Sequence, residues 1–465
     1  MQVDAVFAQQ DKNMHANHHD AACQSFRRMN RRGMLRGAMA GAGSIASAAA
    51  LPASFLTACA ENLAQASEKT ARPKSLLMIW LQGGPSQLET FDPHPGGIIG
   101  GDTKAIRTSV KGLDIADTMP ATAELMHQAT LVRSVVSKEG DHERATYNLK
   151  TGWRPDPTII HPAIGSIVSH QSQRSLDIPR HISISASQWP ARGGYLGPEF
   201  DAYQVGDPEK PVPNLTSRVP EDRMASRVGP LLAAVENEFQ RGRMKNLDTN
   251  RTLHQTATNH AVRMMASEQL DAFNIAKESQ STRDAFGDTE FGRGLLAAIR
   301  LLDVGVRCVE VELSGWDSHI NNHQLQSGNA SVLDTALSAT MKELVARDML
   351  DDTVVFCGGE FGRTPKINAA AGRDHWPHGF SAFLAGGRLR RGHVHGETTP
   401  NLDAEQLKNA SKLPQDQLVS DPITVAQLHA TLLHATGINP ADERTTPIGR
   451  PLRWSDGEAI GSLLS

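Results

Sequence analysis

Residues 75–86 read SLLMIWLQGGPS: an uncharged apolar run from Ser75 to Leu81 breaks into Gln82, two glycines, a proline and a serine. A short continuous apolar run bounded by turn signals is the pattern of a strand buried on both faces, as in a parallel sheet covered by helices. Similar runs recur at Leu131–Val136, His181–Ser185, Arg307–Leu313, Thr353–Cys357 and Ser381–Leu384. Helical spacing or composition falls between and around them, at Pro120–Gln128, Ile159–Gln173, Phe291–Val304, Val332–Arg347 and Val425–Thr436. Strands alternating with helices predict a doubly wound α/β sheet. Residues 226–300 carry apolar residues at i, i+3, i+4 over Val228–Arg241 and Thr252–Ala276, which predicts a helical layer covering that sheet. Residues 186–225, rich in Pro, Gly and Arg and without a period, read as a long surface excursion.

The chain has 465 residues, 39% hydrophobic and 21% charged, which excludes collagen-like and wholly disordered classes. A net charge of −4 argues against a nucleic-acid partner. The first 60 residues differ from the rest. Arg31-Arg32, followed by Met34-Leu35-Arg36 and the Ala/Gly-rich stretch Gly37–Leu56, has the layout of an export signal and resembles the twin-arginine consensus. This predicts passage through the twin-arginine translocase to a periplasmic or extracellular location. Leu56-Thr57-Ala58-Cys59 resembles a lipobox, in which Cys59 is acylated and attaches the chain to a membrane; Ala58-Cys59-Ala60 also suits ordinary signal peptidase, and both readings stay open. The expected organisation is a signal peptide over 1–60, a linker over 61–74 and one α/β domain over 75–465. No run of about 18 apolar residues follows the leader, so no later span is expected. Cys23 and Cys59 lie in the leader, whereas Cys308 and Cys357 fall in apolar strand runs and read as core thiols.

Chemistry-bearing residues collect where strands end, which is where open α/β sheets bind ligands. Ser86, Glu89, Asp92 and His94 follow the first run; Asp141, His142, Arg144 and Thr146 follow the second. Asp317, His319 and His323 follow CVEVELS, Glu360 and Arg363 follow TVVF, and Asp374, His375 and His378 come next. Such a set can hold a divalent cation (Zn, Ca, Mg or Mn) and an anion. The candidate ligands are Asp317, His319, Glu360, Asp374, His375 and His378. The candidate catalytic residues are Ser86, His142, Thr146 and Arg363, with Arg144 and Arg373 as further anion holders. Plain structural readings accompany each: Ser86 as a helix cap, Glu360 paired with Arg363, Asp317 orienting His319. Trp153, Trp316 and Trp376 sit beside these clusters, as loop packing or as a wall for a sugar ring.

Several stretches make a specific resemblance. They are SLLMIWLQGGPSQLETFDPHP (75–95), DHERATYNLKTG (141–152), LLDVGVRCVEVELSGWDSH (301–319), DTVVFCGGEFGRTPKIN (352–368), GRDHWP (372–377) and TVAQLHATLLHATGINP (424–440). In this order they resemble the bacterial domain-of-unknown-function 1501 family, which is similar to the alkaline phosphatase and sulfatase superfamily. The resemblance implies an α/β/α sandwich with a mostly parallel central sheet and a helical insertion. It implies that Asp317 with His319 or His323 stands for the superfamily's Asp…His loop, Glu360 for its Asp-His pair, and His375 or His378 for its last His. Phe361 stands where a His is usual, and no carboxylate follows the first strand until Glu89. The region around His142 and Thr146 is comparable to the nucleophile position. The formylglycine motif is missing from the mature region.

Two functions follow. The first is an exported metal-dependent hydrolase of a phosphate or sulfate ester, with a sulfated or phosphorylated polysaccharide as substrate. The second is a catalytically degenerate relative that binds a glycan or envelope component without turnover. The export reading has a direct test. Replacing Arg31 and Arg32 by Lys is expected to leave the protein in the cytosol on cell fractionation, and normal periplasmic accumulation would overturn it.

Overall fold

The computed structural model describes residues 75–465 apart from 173–175, 187, 211, 213–218, 221–222, 224–225, 232, 236–257, 259–260 and 400. The export signal, Cys59 and the 61–74 linker therefore lie outside the described residues, as do parts of both expected helices between 228 and 276.

The elements that position the site are β1 (Ser75–Leu81), β2 (Ala129–Val136), α1 (His142–Thr151), α2 (Ile164–His170), β3 (His181–Ile184), β4 (Tyr203–Val205), α3 (Glu290–Asp303), β5 (Cys308–Leu313), α4 (Asn322–Ala346), β6 (Thr353–Gly358), β7 (Phe380–Ala385), β8 (His393–His395), β9 (Ile423–Thr424) and α5 (Val425–Ala435). Among the described residues the central sheet runs β8-β2-β7-β6-β1-β5-β3-β4, with β9 also on β2. β7 is antiparallel to both of its neighbours, and the other pairings are parallel.

Every residue of β1 is buried, as its unbroken apolar run requires. Its side chains alternate between two cores. Leu77, Ile79 and Leu81 pack with Val309, Val311 and Val355 beneath α3 and α4, through Leu295, Ile299, Leu333 and Leu337. Leu76, Met78 and Trp80 pack with Val354 and Phe356 beneath α2 and α5, through Ile164, Ile167, Leu428 and Leu432. The layers are helix, sheet, helix: a mixed α/β fold with a mostly parallel sheet, as the sequence reading expects.

Local signals set the helix ends. The Asp141 side chain accepts from Arg144 N to start α1, and Gly152 ends it in the left-handed region at φ 77°. Thr424 and Gln427 form a reciprocal capping box on α5. The differences from expectation are local. Residues 268–277 form two short 3₁₀ turns, Glu268–Phe273 and Ile275–Lys277, where a continuous helix was expected. Their side chains cap locally instead: Ser267 accepts from Gln269 N and Asn274 from Ala276 N, which competes with helix. α4 begins ten residues before the expected Val332, over a polar segment that apolar periodicity does not register. The 186–225 stretch hides β4, which extends the sheet edge beside β3.

Two histidines are buried in this framework without adequate partners. His429 has no partner for either ring nitrogen, and His181 has none for Nε2. Burial pushes His181 down to about 4 and His429 down to about 3. An unfolded histidine takes up a proton below about 6.5, so stability present above that pH is lost as pH falls toward the folded values, by up to about 1.4 kcal/mol per pH unit for each ring. Urea unfolding at pH 7 and pH 5 is expected to show His429→Leu losing about 2 kcal/mol less than the parent between the two values. Equal losses would remove His429 as a cause.

Candidate functional site

β1, β5 and β6 run side by side, with Trp80 in register with both Glu312 and Gly358, so their carboxyl-terminal loops emerge together. The first loop survives this crowding because Gly83 and Gly84 carry no side chains. Gly83 has φ 115°, and a Cβ there would lie 2.5 Å from Asp317 N; Gly84 has φ 77°, and a Cβ there would lie 2.5 Å from the Phe361 ring. Glycine is the residue that allows both the positive φ and the approach.

Glu360, fully buried just after β6, ties the loops together. Its Oε1 accepts from Gly83 N at 3.0 Å, from Gln82 Nε2 at 3.2 Å and from His142 Nδ1 at 2.7 Å. His142 opens α1. His375 comes from a two-residue ladder in which it faces Arg363. Asp317 and His319 come from the loop after β5.

Three imidazoles and one carboxylate converge here. Carboxylate and carbonyl oxygens only accept, so each ring's Nδ1 carries the hydrogen: His142 donates to Glu360, His319 to Asp374 Oδ1 at 2.9 Å, and His375 to the Gly140 carbonyl at 2.8 Å. In the neutral rings this leaves Nε2 bare, and all three Nε2 atoms lie beside the Asp317 carboxylate. His319 Nε2 and His375 Nε2 stand 3.0 Å apart, with Asp317 Oδ1 at 3.2 Å and 3.4 Å from them. His142 Nε2 is 3.4 Å from Asp317 Oδ2. Ligand atoms of His142, Asp317 and His375 all lie within 4.8 Å of one another. This donor set fits a divalent ion, and each ring already has the outer partner that metal-bound histidines use.

The electrostatics follow from the contacts. Burial would lower His142, but the Glu360 hydrogen bond and charge, with Asp317, hold it above its ordinary value. Burial would raise Asp317, but Arg363, with His142 and His319, holds it below the usual carboxylate range. Burial, aided by the charges of Arg363 and His142, holds His375 low despite its bond to Gly140.

The other sequence candidates take different places. Glu360 and Asp374 stand behind His142 and His319 and do not join the converging atoms. Arg363, fully buried, gives four of its five N–H groups to Gly84 O at 2.9 Å, Arg373 O at 3.1 Å, Gly83 O and Asp317 Oδ1 at 2.7 Å. Arg373 is fully buried against Glu89 and the carbonyls of Thr364, Pro365 and Ile99. Arg144 is held by Glu139. Ser86 is fully buried, with its N–H on Gln326 Oε1 at 2.8 Å and its Oγ without a partner. Thr146 is buried one turn beyond His142, its Oγ1 likewise without a partner. His378 lies edge-on against Trp376, away from these contacts, and His323 meets Thr103.

Trp153 stacks on His161, while Trp316 and Trp376 are buried. The tryptophan at the cluster is Trp189, whose ring stacks near-parallel on His142 at 6.2 Å. Phe361 covers His142 and His375, at 5.0 Å and 4.4 Å between centroids. Sequence reasoning missed Gly140, Gln82, Trp189 and Asn368, whose side chain donates to His319 O at 3.0 Å. Gln82 borders the Gly-Gly pair and could have been suspected; Trp189 lies in an aperiodic stretch that carries no signal.

The family model described as protein of unknown function (DUF1501) matches residues 73–464, and the chain belongs to that family. No curated protein matches it. Its fold is distantly similar to solved structures. The PsFucS1 sulfatase from Pseudoalteromonas sp. has 11% identity over 84% of this chain and 72% of that one, with a TM-score of 0.37. A phosphonate monoester hydrolase from Silicibacter pomeroyi has 12% identity over 83% and 76%, with a TM-score of 0.31. A protein in the alkaline phosphatase superfamily from Vibrio parahaemolyticus has 10% identity over 79% and 67%, with a TM-score of 0.34. At these values no residue's role is transferred from them.

The Gly83 crossing can be tested against another positive-φ glycine that stands in open space, since Gly96 has φ 77° and nothing within 4 Å of its built Cβ. Gly96→Ala is expected to cost about 1–2 kcal/mol, the left-handed penalty alone. Gly83→Ala adds a backbone collision and is expected to cost about 2–5 kcal/mol in urea unfolding. Equal costs would show that the loops do not press on one another.

Proposed function

We propose that this chain is an exported, metal-dependent hydrolase of a phosphate or sulfate ester, with one divalent ion held by His142, Asp317 and His375 and with His319 at the rim as a fourth donor. One observation carries the reading: ring nitrogens and a carboxylate gather at 3.0–3.4 Å while every Nδ1 is already committed to an outer partner, an arrangement that needs positive charge among them, from a ring proton or from a bound cation that displaces it. Imidazole-rich sites suit zinc, whereas calcium and magnesium prefer oxygen donors, so of the four metals expected from sequence the donor set favours zinc. A bound ion of this kind polarises an ester oxygen and lowers the pKa of a bound water to about 7.

The chain's own residues prepare that site. Glu360, Asp374 and the Gly140 carbonyl fix the three ring orientations. Arg363 holds Asp317 in place, and Phe361 screens two of the rings from water. The substrate class is an anionic ester, sulfated or phosphorylated polysaccharides among them. The location is periplasmic or extracellular, with Cys59 as the membrane attachment where it is acylated. No described helix is long and apolar enough to cross a membrane.

A second reading has its own support. Ser86 and Thr146 are buried, and Arg144, Arg363 and Arg373 are held by other groups, so among the described residues none of the sequence candidates supplies the cluster with an accessible hydroxyl nucleophile or a guanidinium without a partner. This favours binding of a glycan or envelope component without turnover. Metal analysis with an ester assay separates the two. The hydrolase reading expects about one zinc per chain, its loss in Asp317→Ala, and zinc-dependent release of nitrophenol from p-nitrophenyl phosphate or sulfate. Zinc without hydrolysis of either ester supports the second reading. No zinc in the parent protein would overturn the metal centre.

A further inference from the structure

A buried cation that the proposed chemistry does not use lies two turns beyond His142. His142, Thr146 and Lys150 recur at i, i+4 and i+8 on α1 and so share its sheet-facing side. Lys150 is 4% exposed. Its Nζ pairs with Glu310 on β5, donates to Trp189 O at 3.0 Å and stands 4.9 Å from the centroid of the Trp80 ring. Neutralising Glu310 alone would not require the other two contacts.

Both of those contacts lead back to His142. Trp189, held by its carbonyl, stacks its ring on the imidazole. Trp80 Nε1 donates to Gln82 Oε1 at 2.7 Å, Gln82 Nε2 donates to Glu360 Oε1 at 3.2 Å, and Glu360 accepts from His142 Nδ1 at 2.7 Å. One route fixes the face of the ring and the other fixes its Nδ1. They start from the same ammonium group.

We infer that Lys150 is a positioning residue for the metal ligand His142, acting through Trp189 on one side and through Trp80, Gln82 and Glu360 on the other. The inference rests on the metal reading above. Outer partners of metal ligands commonly contribute 10–100-fold to affinity, and Lys150 acts one step further out through two routes.

The test is zinc affinity, measured by competition with a chromophoric chelator, alongside thermal unfolding. Lys150→Met strands the Glu310 carboxylate and can fail to fold. The decisive variant is therefore Lys150→Met with Glu310→Gln, which leaves no buried unpaired charge. This double variant is expected to fold with a parent-like circular dichroism spectrum and to bind zinc about 10-fold more weakly. Trp189→Leu, which removes one route, is expected to show a smaller part of that loss. If the folded double variant binds zinc as tightly as the parent, Lys150 merely cancels the Glu310 charge and the inference is overturned. Failure of the parent protein to bind zinc would instead defeat the metal reading itself, so the two failures are distinguishable.

Discussion

A single buried carboxylate imposes the geometry of the sheet edge where the imidazoles converge. Glu360 is fully excluded from water, and a charge placed there is costly unless donors surround it. The donors come from separate parts of the chain: a backbone N–H and an amide from the loop after β1, and an imidazole from the start of α1. Donors gathered on Glu360 Oε1 therefore fix the β1 loop, the β6 loop and α1 relative to one another, while Oε2 stays buried without a partner. The glycine pair at 83–84 is a consequence of the same constraint, because the β1 loop reaches Glu360 only by passing against the Asp317 backbone and the Phe361 ring.

The converging side chains lie at the carboxyl ends of β1, β5 and β6, the sheet edge at which the sequence reading places its candidates. Asp317 and His319 follow the end of β5, which its apolar run reveals, whereas His375 sits within a two-residue ladder that no apolar run announces. The distinction between atoms that meet and atoms that stand behind was not legible. Glu360 and Asp374 carry the same functional group as Asp317, and only side-chain direction separates an outer partner from a converging donor. Likewise Ser86 and Thr146 look reactive by type, but burial removes them from reach, and burial of a hydroxyl leaves no mark in sequence. The fold was read best where both faces of a strand are covered, as in β1. It was read worst where local side-chain capping replaces helix, over residues 268–277, and where the three-residue β4 adds only to a sheet edge.

Arginine shows how composition misleads about chemistry. Arg363 and Arg373 lie in two of the stretches that carry the family resemblance, and free guanidinium groups there would suit anion binding. Both are instead fully buried and donate mainly to backbone carbonyls. Burying a cation that cannot lose its proton is expensive; the carbonyl bonds offset that cost and cross-link loops whose only shared regular structure, among the described residues, is the two-residue ladder of Arg363 with His375. Arg363 joins the β1 loop, the Asp317 loop and the 373 segment in this way. Its role is architectural even though it touches the converging carboxylate.

This allocation of charge bears on what the edge can do. With Arg363 spent on Asp317 and on backbone, the carboxylates Asp317, Glu360 and Asp374 face one arginine and three imidazoles. In the proposed centre, a divalent ion supplies the missing positive charge where the bare nitrogens meet, and so takes the part that free arginines play in anion sites without metal. Rigid loops serve that arrangement, because ligand atoms held by outer partners need not reorganise when the ion enters. The buried arginines and the Glu360 hub are then two means to one end: both spend buried charge on fixing loops, so that three rings from distant parts of the sequence present their nitrogens to one point.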